Sequence, residues 1–181
     1  MKTSLFSILI AGVVMASCMA PVEKQYFSDS PDIDLAKKVT EAYLSQNWDA
    51  YPELFADTVR IWRNVNWETN EGFTLSEYIE DLQNGLQGVS SYSLENQVWE
   101  SVVNDEGEHW VHIWFVWTGH NDLTNKDYEI PVHVSSLVEG GKITVQGEFF
   151  NGAEVALDMM ALQMVAGEDE DHDEDEDDDD R

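Results

Sequence analysis

One cysteine, nine basic residues and no apolar run approaching the length of a membrane span set the first limits on this 181-residue chain. With Cys18 as the sole thiol, no disulfide can form within the chain, so the fold has to hold without one. Nine Lys and Arg stand against thirty-seven Asp and Glu, a net charge of −28. A chain so acidic offers no counter-charge to phosphates, which excludes nucleic acid as a partner and disfavours anionic lipid headgroups. The longest apolar run, Leu5 to Val14, is far short of the roughly 20 residues a bilayer-crossing helix needs. Several chemical signatures are missing too. There is no Gly-x-Ser-x-Gly turn, no Gly-rich phosphate loop and no His-x-His or His-x-x-x-His pair that would place metal ligands locally. No metal and no cofactor is expected.

The short apolar run has another use. Lys2 supplies a positive start, Leu5 to Val14 an h-region, and Met15-Ala16-Ser17-Cys18 a set of small residues before a cysteine. This resembles the bacterial lipobox, in which the thiol accepts a diacylglycerol and cleavage leaves Cys18 first. Residues 1–17 then read as a signal peptide, and 18–31, rich in Pro and Ser, as a lipid-anchored tether. Ordinary cleavage after Ala20, with Cys18 discarded, is the alternative. The expected location is the bacterial cell envelope, on a periplasmic or surface face, with membrane contact through the anchor alone. At the other end, twelve acidic residues crowd Glu168–Arg181. Mutual repulsion and the lack of anything to bury predict disorder over 167–181. The segment reads as a solubilising brush or a weak binder of divalent cations; it lacks the Gly and the ligand spacing of an EF-hand.

Between these ends lies one domain, 32–166. Leu35, Val39, Ala42 and Tyr43 recur at helical spacing, and a shorter helix runs from Ala50 to Phe55. Thr58–Trp62 is β-branched and aromatic, as a strand requires. Thr74-Leu75-Ser76-Glu77 is a capping box opening a helix that Gly85 and Gly88 end. From Ser91 the period changes to two. Strands are predicted over Ser91–Val103, His109–Thr118, Tyr128–Val138 and Lys142–Phe150, the last two joined by Glu139-Gly140-Gly141. A final helix, Ala153–Met164, would bury Leu157, Met160, Ala161 and Met164. Helices followed by an antiparallel meander predict an α+β fold.

Asn47-Trp48-Asp49-Ala50, Leu54-Phe55-Ala56-Asp57, the helix capped at Thr74 and Gly141-Lys142-Ile143, in that order and spacing, resemble the SnoaL-like branch of the NTF2-like superfamily. The resemblance spans about Asp34 to Leu162. It implies a cone in which a curved antiparallel sheet wraps around helices and leaves a pocket at the open end. Superfamily members include polyketide cyclases, ketosteroid isomerases, dehydratases and binding proteins, so the fold alone does not choose an activity. The isomerases' carboxylate base would fall near Ile61 and their helix tyrosine near Val39. Neither residue is present, although Tyr43 follows one turn later.

The hairpin turn sets a register. A two-residue turn at Gly140-Gly141 pairs Glu139 with Lys142, places Ser136 and Val134 opposite Val145 and Gly147, and sets His133 opposite Glu148. In superfamily enzymes the polar parity of the last strand points into the cone. That resemblance implies a pocket lined by His112, Trp114, His133, Gln146 and Glu148. Ile130, Val132, Val134, Ile143, Val145 and Phe149 would form an apolar outer face, an exposed patch large enough to predict a homodimer. His133 with Glu148 is a candidate catalytic acid/base pair, since a carboxylate fixes the imidazole tautomer; a structural hydrogen bond is the alternative. Tyr43, Trp62, His112, Trp114 and Gln146 are candidate ligand contacts, with Trp110 as a further stacking surface. Two functions follow. One is an envelope lipoprotein whose pocket binds a small, largely apolar or cyclic ligand. The other is an isomerase, cyclase or dehydratase using the His–Glu pair.

Overall fold

A computed structural model describes residues 25–172, with side chains through residue 164. The expected signal peptide, Cys18 and the first half of the expected tether lie outside the described residues, as does the end of the acidic tail. The elements run β1 (Tyr26–Phe27), α1 (Pro31–Leu44), a 3-10 turn (Tyr51–Leu54), β2 (Phe55–Arg63), α2 (Leu75–Gly85), β3 (Val89–Val103), β4 (His109–Asn121), β5 (Lys126–Glu139), β6 (Lys142–Phe150) and α3 (Ala153–His172).

Local chemistry accounts for the helices. Ser30 caps α1, its side chain accepting from the Ile33 amide at 3.2 Å; Pro31 occupies the first turn and Asp32 and Asp34 follow it. Ile33, Ala36, Val39 and Ala42 form the buried stripe. At α2 the Thr74 amide donates to Glu77 Oε2 at 2.8 Å and the Glu77 amide donates back to Thr74 Oγ1, completing the capping box. Such a cap contributes about 1 kcal/mol.

Six strands form one sheet in the order β1-β3-β4-β5-β6-β2. All neighbours are antiparallel except β2 and β6, which pair in parallel, so the expected purely antiparallel sheet is mixed. The sheet curls over α1, and the core lies between them: Ile33, Tyr51, Phe55, Val59, Ile61, Val111 and Ile143 are all but inaccessible. The β4–β5 register sets Trp114 opposite His133, continuous from His109↔Val138 to Asn121↔Lys126.

The β5–β6 hairpin departs from the simple register. Gly140 and Gly141 have φ of +59° and +77°, the left-handed pair that a tight two-residue turn requires. Glu139↔Lys142 and Val138↔Ile143 pair as expected, but Leu137 then pairs with Val145, leaving Thr144 as an extra residue. This bulge reverses the parity of the rest of β6. Val134 therefore faces Glu148, Ser136 faces Gln146, and His133 pairs with Phe149.

One expectation about the last helix also fails. Leu157, Met160 and Met164 are exposed, and the less exposed face is Val155, Asp158 and Met159. α3 runs on past Gly167 to His172. Its Ala, Leu, Met and Gln content carries strong helix propensity up to that point.

Candidate functional site

The concave face of the sheet, α1 and α2 enclose a cavity of about 460 Å³. Its wall is mainly aliphatic and aromatic: Val39, Leu94, Val111, Ile113, Phe115, Trp117, Ile130, Val132, Val134 and Phe150 all contribute. The apolar parity of β5 thus faces inward. Ile130, Val132 and Val134, expected on the outer face, line the cavity because they share a side with Ile113 and Phe115 in the β4–β5 register.

One polar cluster interrupts this wall. Glu148, opposite Arg63 in the parallel β2–β6 register, accepts from Arg63 Nε at 2.9 Å, from Gln146 Nε2 at 3.0 Å and from the Tyr78 hydroxyl. Gln146 Nε2 also donates to the Tyr78 oxygen at 3.2 Å, and its Oε1 accepts from Ser136 at 3.3 Å. A second nitrogen of Arg63 pairs with Asp81 on α2, and the guanidinium lies 5.3 Å from the Tyr78 ring centre and 5.5 Å from that of Phe150. Burial works against the Arg63 charge, but Glu148, Tyr78 and Asp81 outweigh it and raise the pKa. Burial, with the nearby Glu148 charge, pushes the Tyr78 and Tyr51 phenols up. Glu148 is therefore a fixed carboxylate, held by two donors on Oε1 and one on Oε2.

A second polar feature is less committed. The Tyr43 hydroxyl accepts from Trp117 Nε1 at 3.1 Å, and nothing among the described residues takes its proton. Burial raises its pKa to about 12, the Trp117 bond acting in the opposite direction. The cavity thus holds a protonated phenol, oriented by Trp117, with one donor to offer.

Of the sequence candidates, Tyr43, Gln146 and Glu148 line the cavity. His112, Trp114 and His133 stand on the convex face instead. There His133 stacks on Trp114 at 4.6 Å with 6° between the rings, and on Phe149 at 5.8 Å. His112 Nδ1 lies 3.3 Å from His133 Nε2. Burial lowers the pKa of both imidazoles, each only partly covered, and His112 lowers that of His133 further. The expected His133–Glu148 pair is not formed, because the Thr144 bulge sends the two side chains to opposite faces. Trp62 does not line the cavity either: its Nε1 donates to the Asn70 carbonyl at 2.8 Å and its ring packs beside Gly72. Trp110 lies on the convex face and donates to Glu108. Among the described residues no group of three or more His, Cys, Asp or Glu could hold a metal.

Arg63, Tyr78 and Asp81 were not anticipated as site residues. For Arg63 a signal existed: Val59 and Ile61 are the buried parity of β2, and the next residue of that parity is the arginine. A charge on a core parity calls for a buried partner.

No family model and no curated protein sequence matches the chain. Solved structures do. A provisionally assigned polyketide cyclase from Xanthomonas campestris pv. campestris superposes with a TM-score of 0.55 at 22% identity, over 68% of this chain and 93% of its own. A SnoaL-like protein from Shewanella putrefaciens CN-32, with the same provisional assignment, gives 0.54 at 12%, over 74% and 88%. An NTF2-like protein from Burkholderia xenovorans LB400 gives 0.53 at 14%, over 69% and 93%. The chain has the NTF2-like α+β fold, a curled mixed sheet with three helices.

Proposed function

We propose that this NTF2-like domain is a ligand-binding module of the bacterial envelope, tethered through a lipid on Cys18. Its cavity would take a small, largely apolar or cyclic molecule carrying one oxygen able to accept a hydrogen bond. The observation that carries this reading is Tyr43: a largely buried phenol that accepts from Trp117, its donor unused, in a cavity whose wall is mainly apolar apart from the Glu148 cluster. A ligand oxygen placed there would gain a hydrogen bond at little orientational cost, since Trp117 already fixes the acceptor side of the hydroxyl. The Glu148 cluster gives the cavity a rigid polar end whose carboxylate is already bonded to three protein donors, which favours binding over proton abstraction.

Native mass spectrometry of protein from its own host tests the reading by revealing a co-purifying small molecule. Binding of that molecule, followed by Trp fluorescence, is expected to weaken about fivefold in Tyr43→Phe and to be unchanged in His133→Ala. A molecule chemically converted by the wild type but not by His133→Ala would reverse the order of the two functions. The anchor is tested separately, by mass spectrometry of the mature N-terminus: a chain beginning after Ala20 without lipid would refute it.

A homodimer belongs to the same proposal, on a patch that keeps only Phe149 of the residues first expected. The convex-face ladder of Trp114, His133 and Phe149, with Trp114 38%, Phe149 46% and the neighbouring Val98 52% exposed, is an apolar patch in an otherwise strongly acidic molecule. Light scattering of the wild type against Trp114→Ser/Phe149→Ser decides it.

A further inference from the structure

Three residues of the cavity wall are exposed: Asn84 and Gly85 at the end of α2, and Ala156 in the second turn of α3. They mark the mouth, which lies between those two helices. On the α3 side, Gly152 and Val155 complete the rim. α3 has little else to hold it there. Leu157, Met160, Leu162 and Met164 are exposed, and the side-chain bonds anchoring it to the sheet converge on Asp158. Both Asp158 oxygens accept from Lys126 Nζ at 2.7 Å, and Oδ2 also accepts from the Tyr128 hydroxyl at 2.8 Å. The Lys126 and Tyr128 bonds hold the Asp158 carboxyl below its ordinary value. Tyr128 is itself a buried cavity-lining residue, so one side chain touches both the ligand space and the fastening of α3. The joint behind α3 is short: Phe150 ends β6, and Asn151-Gly152 lead into the helix, Asn151 capping it through the Ala153 amide at 3.1 Å.

We propose that α3 is a gate over the cavity mouth, latched shut by Asp158 on Lys126 and Tyr128 and turning about Asn151-Gly152. The proposal rests on the binding reading of the cavity. Opening costs mainly one partly exposed ion pair and one hydrogen bond rather than a packed interface, which puts α3 at the low-stability end of the fold. A ligand that displaces Tyr128 loosens the same latch, so occupancy and gate position are coupled.

The test uses N-phenyl-1-naphthylamine, a neutral apolar fluorophore, so that salt and charge act on the latch and not on the probe. In stopped-flow measurements Asp158→Asn is expected to raise both association and dissociation rates several-fold while changing the dissociation constant much less. A Lys126→Cys/Asp158→Cys pair bridged by a short bis-methanethiosulfonate linker, which spans the reach of the lysine, should slow both by an order of magnitude, with reductant restoring them. Wild-type rates in the cross-linked protein, or a changed affinity without parallel changes in both rates, would overturn the gate. If the fluorophore does not bind, the cavity reading fails on that probe and hydrogen exchange decides the gate by itself. The α3 amides from Ala156 to Leu162 must exchange faster in Asp158→Asn than in the wild type, with β4 and β5 unchanged. Equal exchange at α3 refutes the proposal.

Discussion

The concave and convex faces of one sheet have diverged in chemistry although they are built from alternate residues of the same strands. Inward, β4 and β5 present Val111, Ile113, Phe115, Val132 and Val134, and the Glu148, Gln146, Arg63 and Tyr78 side chains are fastened to one another while no described residue takes the Tyr43 proton. Outward, the same strands present Trp110 and, stacked in a ladder half open to solvent, the rings of His112, Trp114 and His133. On these two strands His112 and His133 thus mark the outside, and the binding space is walled by aliphatic residues together with Phe115, Trp117 and Tyr128. Enrichment in Trp and His was the wrong guide to the cavity. The residue that decides the assignment is Thr144, a single insertion that turns Glu148 inward.

Deleting Thr144 is therefore the strongest way to break the contrast. Either β6 keeps its hairpin register and sends Gln146, Glu148 and Phe150 outward, or the turn distorts to save them. Urea unfolding is expected to show a loss of at least ~4 kcal/mol, among the largest values for single changes. Next comes Arg63→Leu, which leaves Glu148 and Asp81 without their cation in a largely buried cluster. A loss of about 3 kcal/mol is expected, and Arg63→Leu/Glu148→Leu should recover part of it, because removing both charges removes the penalty of burying one alone. A double variant no more stable than the single one would show that the cluster acts through packing instead.

Tyr43→Phe sharpens the comparison rather than breaking it. Stability should fall by about 1 kcal/mol, because Trp117 Nε1 loses its acceptor, and ligand affinity should fall by about as much again, the usual worth of one hydrogen bond. The smallest effect belongs to the convex face. His112 and His133 have pKa values held below the ordinary 6.5, so the unfolded chain binds protons that the folded one resists. Their contribution to stability is fully present above pH 6.5 and is lost as the pH falls below it. Thermal unfolding across that window should flatten in His133→Gln, and ligand affinity in the same variant should not change.

Much of this fold could be read before any coordinates. The helix opened by Thr74 and Glu77, the strands β3 and β4 and the Gly140-Gly141 turn are all written in short-range patterns. What could not be read is long-range or a matter of one residue. The parallel pairing of β2 with β6 joins segments far apart in sequence, and no local periodicity announces it. The Thr144 bulge looks like ordinary strand, because nothing in Ile143-Thr144-Val145 departs from β-branched alternation. The helix face was misjudged on α3 because hydrophobic residues occur all round it, leaving periodicity nothing to choose between.

The β2–β6 pairing also bears on the order in which the molecule forms. Arg63 closes one strand near the start of the domain, and Glu148 sits in the last strand, so their meeting requires the longest loop closure in the sheet. The meander from β3 to β6 can assemble by short hairpins, but the polar end of the cavity exists only after β2 has docked on the finished edge. Binding competence therefore reports completion of the whole fold. A chain halted one strand short would carry most of the wall and none of the Glu148 cluster.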